Sequence, residues 1–211
     1  MSLKNCLALL FVLAFLSFLV QSDFGNVNVK SHTLYSSNNQ YVVYDLYKPS
    51  SASKENKAPF IVVVPGFQRS KEALSNIAIE LSRRGNVVAL IDPYAQGMSS
   101  SSLSRRAATT EGYGMFALID TVSKGNLFDF VDTDKMASTG HSMGGNAAIR
   151  GANYFGREAI RENKKSKLHS VYVSGYVLTL SDKVLNDVRS NVGVSYALYD
   201  EGAFRNELQG W

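Results

Sequence analysis

The chain has 211 residues, which is enough for one α/β domain with its own core and short for two. Hydrophobic residues make up 45% of the chain and charged residues 19%, with only 4 prolines, so the composition excludes a disordered or collagen-like protein. The net charge of +4 comes from scattered basic pairs, and the lack of a dense basic stripe or a recognition module argues against a nucleic-acid partner.

The first predicted element is an uninterrupted apolar run at residues 6–20, with Lys4 before it and a polar stretch after it. A positive start and an apolar segment of this length are typical of a secretory signal peptide, and residues 20–22 offer a tolerable cleavage site. The same run fits an uncleaved membrane anchor, whereas a buried core helix is disfavoured because no side of the run is polar. We therefore expect residues 1–22 to be a signal peptide or a membrane anchor. The domain at residues 29–211 is expected outside the cytoplasm, exported to the periplasm or extracellular space or held at the membrane.

The chain next predicts a hairpin and a first strand–helix–strand unit. Residues 29–35 and 40–48 are rich in residues that favour strands and flank a short polar turn. The run FIVVV at residues 60–64 predicts a strand buried on both faces. Apolar residues with helical spacing then predict a helix over residues 70–85, and residues 86–92 predict the next buried strand.

The second half of the chain alternates in the same way. The predicted elements are helices at residues 113–123 and 126–131, a strand at 135–139, a helix at 143–155, a strand at 167–177, a helix at 181–190 and a strand at 192–199. Strands that alternate with helices predict an α/β fold whose central sheet is mainly parallel, entered through an antiparallel hairpin and covered by helices on both faces. Catalytic groups in such folds lie at the carboxyl ends of the strands.

A G-x-S-x-G motif stands between the predicted strand at residues 135–139 and the predicted helix at residues 143–155, and reads Gly140-His141-Ser142-Met143-Gly144-Gly145. In this context the motif predicts a nucleophile elbow, whose tight turn needs small flanking residues and lifts the serine hydroxyl above the sheet. The helix that starts behind Ser142 offers backbone donors to an oxyanion. A glycine-rich turn with an incidental serine is the alternative that this context disfavours.

A second motif agrees with the first. Pro65-Gly66-Phe67 directly follows the predicted strand at residues 60–64, where this architecture places the loop that carries its other oxyanion donor. We expect the backbone N–H groups of Phe67 and Met143 to form the oxyanion hole.

With these motifs in place, the chain resembles the α/β-hydrolase superfamily from about residue 40 to residue 204. The nearest patterns belong to dienelactone-hydrolase-like esterases and cutinase-like polyester hydrolases. The matching segments are Pro65-Gly66-Phe67, Arg84-Gly85, residues 87–92 ending in Asp92, and Val131-Asp132-Thr133-Asp134-Lys135 leading into the elbow. The resemblance implies the α/β-hydrolase fold and a serine esterase acting on small-molecule or polymeric esters.

The resemblance also implies a catalytic triad in the chain order serine, acid, histidine. Asp200 follows the last predicted strand and is the candidate acid, with Glu201 as the alternative. The base should be a histidine after Asp200, but the chain's three histidines, His32, His141 and His169, all precede it. Because a serine without its base is a weak nucleophile, we expect the 211-residue chain alone to be inactive.

Two explanations fit the missing histidine. Either the chain is the front part of a longer protein, with the last strand and the histidine loop following Trp211, or it is a natural protein that has lost catalysis. An absent last strand would leave a sheet edge and apolar faces exposed. Natural proteins seldom tolerate such exposure, so the pattern favours truncation at the C-terminus.

The sequence thus predicts a serine carboxylic-ester hydrolase that acts, in its full-length form, through an acyl-enzyme on Ser142. A non-catalytic hydrolase-like binding protein is the alternative from another class, and a peptidase or acyltransferase of the same fold is the alternative within enzymes. We expect no cofactor and no metal, since the single cysteine, Cys6, excludes a cysteine-based zinc site. Membrane association through residues 6–20 is the one further partner the sequence suggests.

Overall fold

A computed structural model of the protein describes residues 1–36, 40–100, 103–105, 107–175 and 185–195. Within these residues, seven strands form one sheet in the order β1-β2-β4-β3-β5-β6-β7. The strands are β1 (Val27–Tyr35), β2 (Tyr41–Pro49), β3 (Ala58–Val64), β4 (Val87–Ile91), β5 (Val131–His141), β6 (Ser170–Ser174) and β7 (Asn191–Ser195).

The sheet is mainly parallel, with an antiparallel entrance. β1 and β2 form the predicted hairpin and β2 runs antiparallel to β4, whereas each later neighbouring pair is parallel. The carboxyl ends of β3 to β7 therefore meet at one edge of the sheet, the carboxyl edge, and their starts meet at the amino edge. β1 begins at the amino edge, because Val27 pairs with Pro49 at the end of the antiparallel β2. This topology confirms the predicted fold class.

Helices cover both faces of this sheet. Successive side chains of a strand point to opposite faces, and in β3 the odd-numbered Val63 packs with α2 (Ser75–Arg83) while Val62 packs with α3 (Met115–Ser123) and α4 (Met143–Glu162). All five residues of β4 are buried, as expected for a strand covered on both sides. The remaining helix, α1 (Leu3–Gln21), comes first in the chain, before β1.

Several predicted helices differ from the structure. The helix predicted at residues 70–85 begins as a 3₁₀ turn at Lys71–Leu74, continues as α2 and is followed by Gly85 with a left-handed φ of +88°. The helix predicted at residues 126–131 is wrong, because residues 126–130 form a turn and Val131 opens β5.

The apolar residues of that turn pack as a cluster instead. The Phe128 ring lies 5.4 Å from the Phe130 ring and 6.4 Å from the Phe60 ring. These side chains therefore make contacts between elements and do not line one face of a helix. Of the helix predicted at residues 181–190, residues 186–190 are turn and loop, and residues 181–184 lie outside the described part of the chain.

Tyr44 in β2 gives the fold a dependence on alkaline pH. It is 2% exposed, and burial raises the pKa of its phenol to about 12. An unfolded chain would ionise this phenol near pH 10, so its contribution to stability is complete below about pH 10 and is lost as the pH rises toward about 12. We expect the free energy of unfolding to fall by up to about 2 kcal/mol across this window from Tyr44 alone.

Urea titrations at about pH 9 and about pH 11.5 measure this fall. Tyr44→Phe keeps the ring that stacks on His32 at 5.4 Å and should show a correspondingly smaller fall. An equal fall in both proteins would show that Tyr44 does not ionise on unfolding.

Candidate active site

Ser142 is the single residue between β5 and α4, at the carboxyl edge of the sheet. Its φ of +54° and ψ of −128° resemble the first central position of a type II′ turn, which favours glycine, so a side chain here is strained. Backbone hydrogen bonds on both sides of Ser142 stabilise this strained conformation. The Ser142 N–H donates to the Ser174 carbonyl at 2.9 Å, and the Ser142 carbonyl accepts from the Asn146 N–H at 3.1 Å.

Three glycines of the motif allow this turn to form. A Cβ on Gly140 would lie 2.3 Å from the Gly144 carbonyl group, and a Cβ on Gly144 would lie 2.0 Å from the Val64 carbonyl oxygen. A Cβ on Gly145 would lie 2.8 Å from the Cγ1 atom of Val173. The end of β3, the end of β5 and the first turn of α4 are therefore in backbone contact, which only glycine permits.

The loop after β3 lies directly against Ser142. A Cβ on Gly66 would lie 3.1 Å from the Ser142 Cβ and 3.1 Å from the His141 carbonyl oxygen, so Phe67 follows a residue that touches the serine. Met143 is the first residue of α4, and the first four N–H groups of an α-helix have no acceptor within the helix. The structure thus brings the segments of both predicted oxyanion donors to the two sides of Ser142.

Side chains from the loop after β4 accept hydrogen bonds from the backbone of the loop after β3. Gln68 has a left-handed φ of +59°, and its N–H donates to the Oε1 atom of Gln96, a residue that is 5% exposed. Asp92, which is 1% exposed, accepts the Lys71 N–H at 2.8 Å and the Met98 N–H at 3.1 Å. The two loops are therefore joined by side-chain to backbone hydrogen bonds.

Sequence reasoning singled out Asp92 only as part of a resemblance and missed Gln96. The available signal was Gly97, which follows the strand closely. A Cβ on Gly97 would lie 2.3 Å from Oδ1 of Asp92, so the loop must turn tightly around that buried carboxylate.

The histidines lie in three different places. The His141 ring packs against Gly175, where an added Cβ would lie 3.1 Å from Nε2. His169 precedes β6 at the amino edge, and its N–H donates to the Met136 carbonyl at 2.8 Å. His32 stacks on Tyr44 within the hairpin. Among the described residues, no hydrogen bond joins the Ser142 hydroxyl to any of these rings.

Asp200 and Glu201, the candidate acids, lie outside the described residues. The described strand that leads toward them, β7, ends beside the elbow. Ser195 pairs with Ser174, the residue whose carbonyl holds the Ser142 N–H, and the Ser195 carbonyl accepts from the Gly175 N–H at 2.8 Å. Asp187, which precedes β7, is partly exposed, and its Oδ2 atom lies 3.8 Å from Nε of Arg157.

An apolar cavity of about 650 Å³ lies below His141 on the face of the sheet that α2 covers. Its wall includes Ile61, Val63, Leu74, Ile77, Thr139 and Tyr172. In the described part of the chain, no group of three or more His, Cys, Asp or Glu side chains could hold a metal ion. The candidate site therefore consists of a strained serine with two backbone segments beside it.

A family model described as PET hydrolase-like matches residues 17–191 of the chain. No curated protein sequence matches the chain significantly.

Solved structures resemble the chain at low identity. A dienelactone hydrolase-like promiscuous phosphotriesterase from metagenomic libraries is 15% identical with a TM-score of 0.64, over 87% of this chain and 74% of that one. A hyperthermophilic esterase from the archaeon Pyrobaculum calidifontis is 19% identical with a TM-score of 0.53, over 75% of this chain and 48% of that one. The α/β-hydrolase GrgF from Penicillium sp. sh18 is 16% identical with a TM-score of 0.56, over 70% of this chain and 46% of that one. The chain thus spans about half the length of the last two, and these likenesses show the fold alone.

Proposed function

Because the chain belongs to the PET hydrolase-like family, we propose that it is a serine hydrolase of carboxylic esters that works through an acyl-enzyme on Ser142. The observation that carries the proposal is the strained Ser142 between β5 and α4, with the Gly66–Phe67 backbone against it. A serine held at such a turn presents its hydroxyl to a substrate above the carboxyl edge. The proposed substrates are small-molecule or polymeric esters.

In the proposed reaction, the Ser142 hydroxyl oxygen bonds to the ester carbonyl carbon and gives its proton to a base. The N–H groups of Phe67 and Met143 hold the negative oxygen that forms, and its collapse breaks the bond to the alcohol, which leaves with that proton. Water then attacks the acyl-enzyme in the same way and releases the carboxylic acid and free Ser142. Removing one oxyanion donor of this kind typically lowers kcat by about a hundredfold to a thousandfold.

We further propose Asp200 as the acid of the triad, with Glu201 as the alternative. Support comes from β7, whose carboxyl end pairs with the β6 residue that holds the Ser142 N–H. The base in this fold follows the acid along the chain, whereas His32, His141 and His169 precede Asp200. We therefore propose that none of these three histidines is the base.

Hydrolysis rates of p-nitrophenyl esters and matched p-nitroanilides test the function. The protein expressed from its complete coding sequence should hydrolyse esters far faster than amides. Faster amide cleavage would instead identify a peptidase. A complete protein without turnover or covalent labelling would identify a binding protein, the alternative from another class.

The hydrogen bond between Gln68 and Gln96 predicts a positioning role for Gln96. Gln96→Met removes the acceptor at nearly constant volume and frees the loop that carries Phe67, so we expect kcat for a p-nitrophenyl ester to fall about tenfold while KM changes less than about twofold. Gln96→Glu keeps an oxygen acceptor and should restore most of kcat. An unchanged kcat in Gln96→Met, or a change confined to KM, would contradict this role.

A further inference from the structure

α1 ends in a hydrogen-bonded turn at residues 19–24, which we call the joint. The Asp23 N–H donates to the Val20 carbonyl at 3.2 Å, and the Phe24 N–H donates to the Leu19 carbonyl at 2.7 Å. These two bonds form a Schellman motif, and Asp23 has the left-handed backbone that the motif requires, with φ at +48°. The direction in which the chain leaves the helix is therefore fixed by the helix end itself.

The domain holds the same joint from the other side, through Arg83 at the end of α2. The Arg83 Nε atom lies 3.0 Å from Oδ1 of Asp23, and its Nη2 atom donates to the Val20 carbonyl at 3.2 Å. A cation at the last carbonyls of a helix also complements the negative end of its dipole. Ser22 is 7% exposed, and its carbonyl accepts from the Val27 N–H at 2.9 Å, so β1 starts directly at the joint.

Most of α1 lies away from the domain, and near its end Phe18 and Val20 line a groove with residues of β1, β2 and α2. None of residues 3–20 is a buried residue, and their mean hydropathy is 2.3. By length and composition this segment is able to cross a membrane. The helix has 19 residues and a length of about 28 Å, close to the hydrocarbon thickness of about 30 Å. Lys4 lies in the first turn of the helix, and the next basic residue in the chain is Lys30. This asymmetry places the start of α1 on the cytoplasmic side.

We propose that α1 remains in the protein as an anchor in the phospholipid bilayer and that it holds the domain with Ser142 facing away from the membrane. The predicted cleavage site at residues 20–22 falls inside the joint, so cleavage would remove the Val20 carbonyl that Arg83 binds and expose Ser22. A retained α1 keeps these contacts, and they are the observation on which the proposal rests.

The topology supplies the orientation. α1 joins β1 at the amino edge, whereas Ser142 lies at the carboxyl edge. The seven residues of β3 span about 20 Å between these edges, and four strand spacings of about 4.8 Å separate β1 from β5, which together place Ser142 roughly 28 Å from the joint. On the proposed function, the ester substrate would therefore reach Ser142 from the aqueous phase rather than from the lipid.

Fractionation tests the anchor without any need for activity. The protein expressed in bacteria from its complete coding sequence should sediment with membranes after an alkaline carbonate wash, and peptide mass mapping should find the α1 segment still joined to Asp23. A chain that begins at residues 21–23 and is released from the membrane would overturn the proposal, whatever its esterase activity.

Substitutions of two neighbouring arginines test the contacts at the joint. Arg83→Ala removes both contacts to the joint, and we expect amide exchange over residues 22–27 to accelerate about fivefold. Arg84→Ala is the matched control, because the Arg84 side chain is 70% exposed and pairs only within its own helix end, at 2.8 Å from Glu80. Equal exchange in Arg83→Ala and the parent protein would overturn the role of Arg83.

Energy transfer to a labelled lipid tests the orientation. In a Cys6→Ser background, a dye on Lys54→Cys reports from the exposed β2–β3 loop at the amino edge, and a dye on Met98→Cys reports from a side chain that is 70% exposed at the carboxyl edge. In vesicles that carry an acceptor lipid, we expect clearly stronger transfer from position 54. Equal transfer, or stronger transfer from position 98, would overturn the orientation.

Discussion

Ser142→Ala should lower kcat/KM for ester hydrolysis by about ten-thousandfold or more in the protein expressed from its complete coding sequence. The reason is that the acyl-enzyme forms on this oxygen, and the oxyanion donors alone give only residual rate enhancement. Ser123→Ala is the matched control, because that hydroxyl only donates to the Asp120 carbonyl at the end of α3. Steady-state hydrolysis of p-nitrophenyl acetate measures both variants, and retained activity in Ser142→Ala would contradict the nucleophile assignment.

The same position should show a gain in stability when activity is lost. Ser142→Gly removes a side chain from a backbone with φ at +54°, which relieves strain, although glycine loses more entropy on folding. We expect the free energy of unfolding in urea to rise by about 1 kcal/mol while esterase activity disappears. A decrease in stability would show that the turn is not strained in the folded protein.

Gly144→Ala should have the largest effect on stability. An added Cβ would meet the carbonyl oxygens of Val64 and Pro65 at 2.0 Å and 2.5 Å, and these atoms belong to the end of β3 and the proposed oxyanion loop. Because α4 cannot move away without breaking its contact with β3, we expect a loss of about 4 kcal/mol or more, or no soluble protein. Urea unfolding and soluble yield measure the change.

Gly125→Ala provides the comparison. Gly125 has a φ of +75°, but nothing lies within 4 Å of an added Cβ, so only the left-handed backbone cost of about 1–2 kcal/mol applies. If Gly144→Ala is no more destabilising than Gly125→Ala, the close approach of α4 and β3 does not exist in solution.

The parts of the fold that the sequence predicts correctly are those fixed by short-range patterns. The buried run of β3 and the glycine spacing around Ser142 each lie within about ten residues, so periodicity and turn chemistry are enough to find them. The helix predicted at residues 126–131 failed because Leu127, Phe130 and Val131 have a helical spacing, whereas the neighbouring Phe128 packs against Phe60, which is far away in the chain.

Long-range polar contacts could not be predicted for the same reason. Gln96 reaches Gln68 across 28 positions, and Arg83 reaches Val20 across 63. Neither pair has a local pattern, because an exposed arginine and a capping arginine look alike in a sequence. The joint between α1 and the domain therefore emerges only from the structure, although the apolar run of α1 is evident from residues 6–20.

Mass spectrometry of the complete protein after reaction with a fluorophosphonate tests the central claim most directly. This reagent bonds covalently to an activated serine, and the proposal predicts one adduct per chain, on the peptide that contains Ser142. No adduct should form in Ser142→Ala. An adduct on any other residue, or an undiminished adduct in Ser142→Ala, would contradict the claim that this strained serine is the nucleophile.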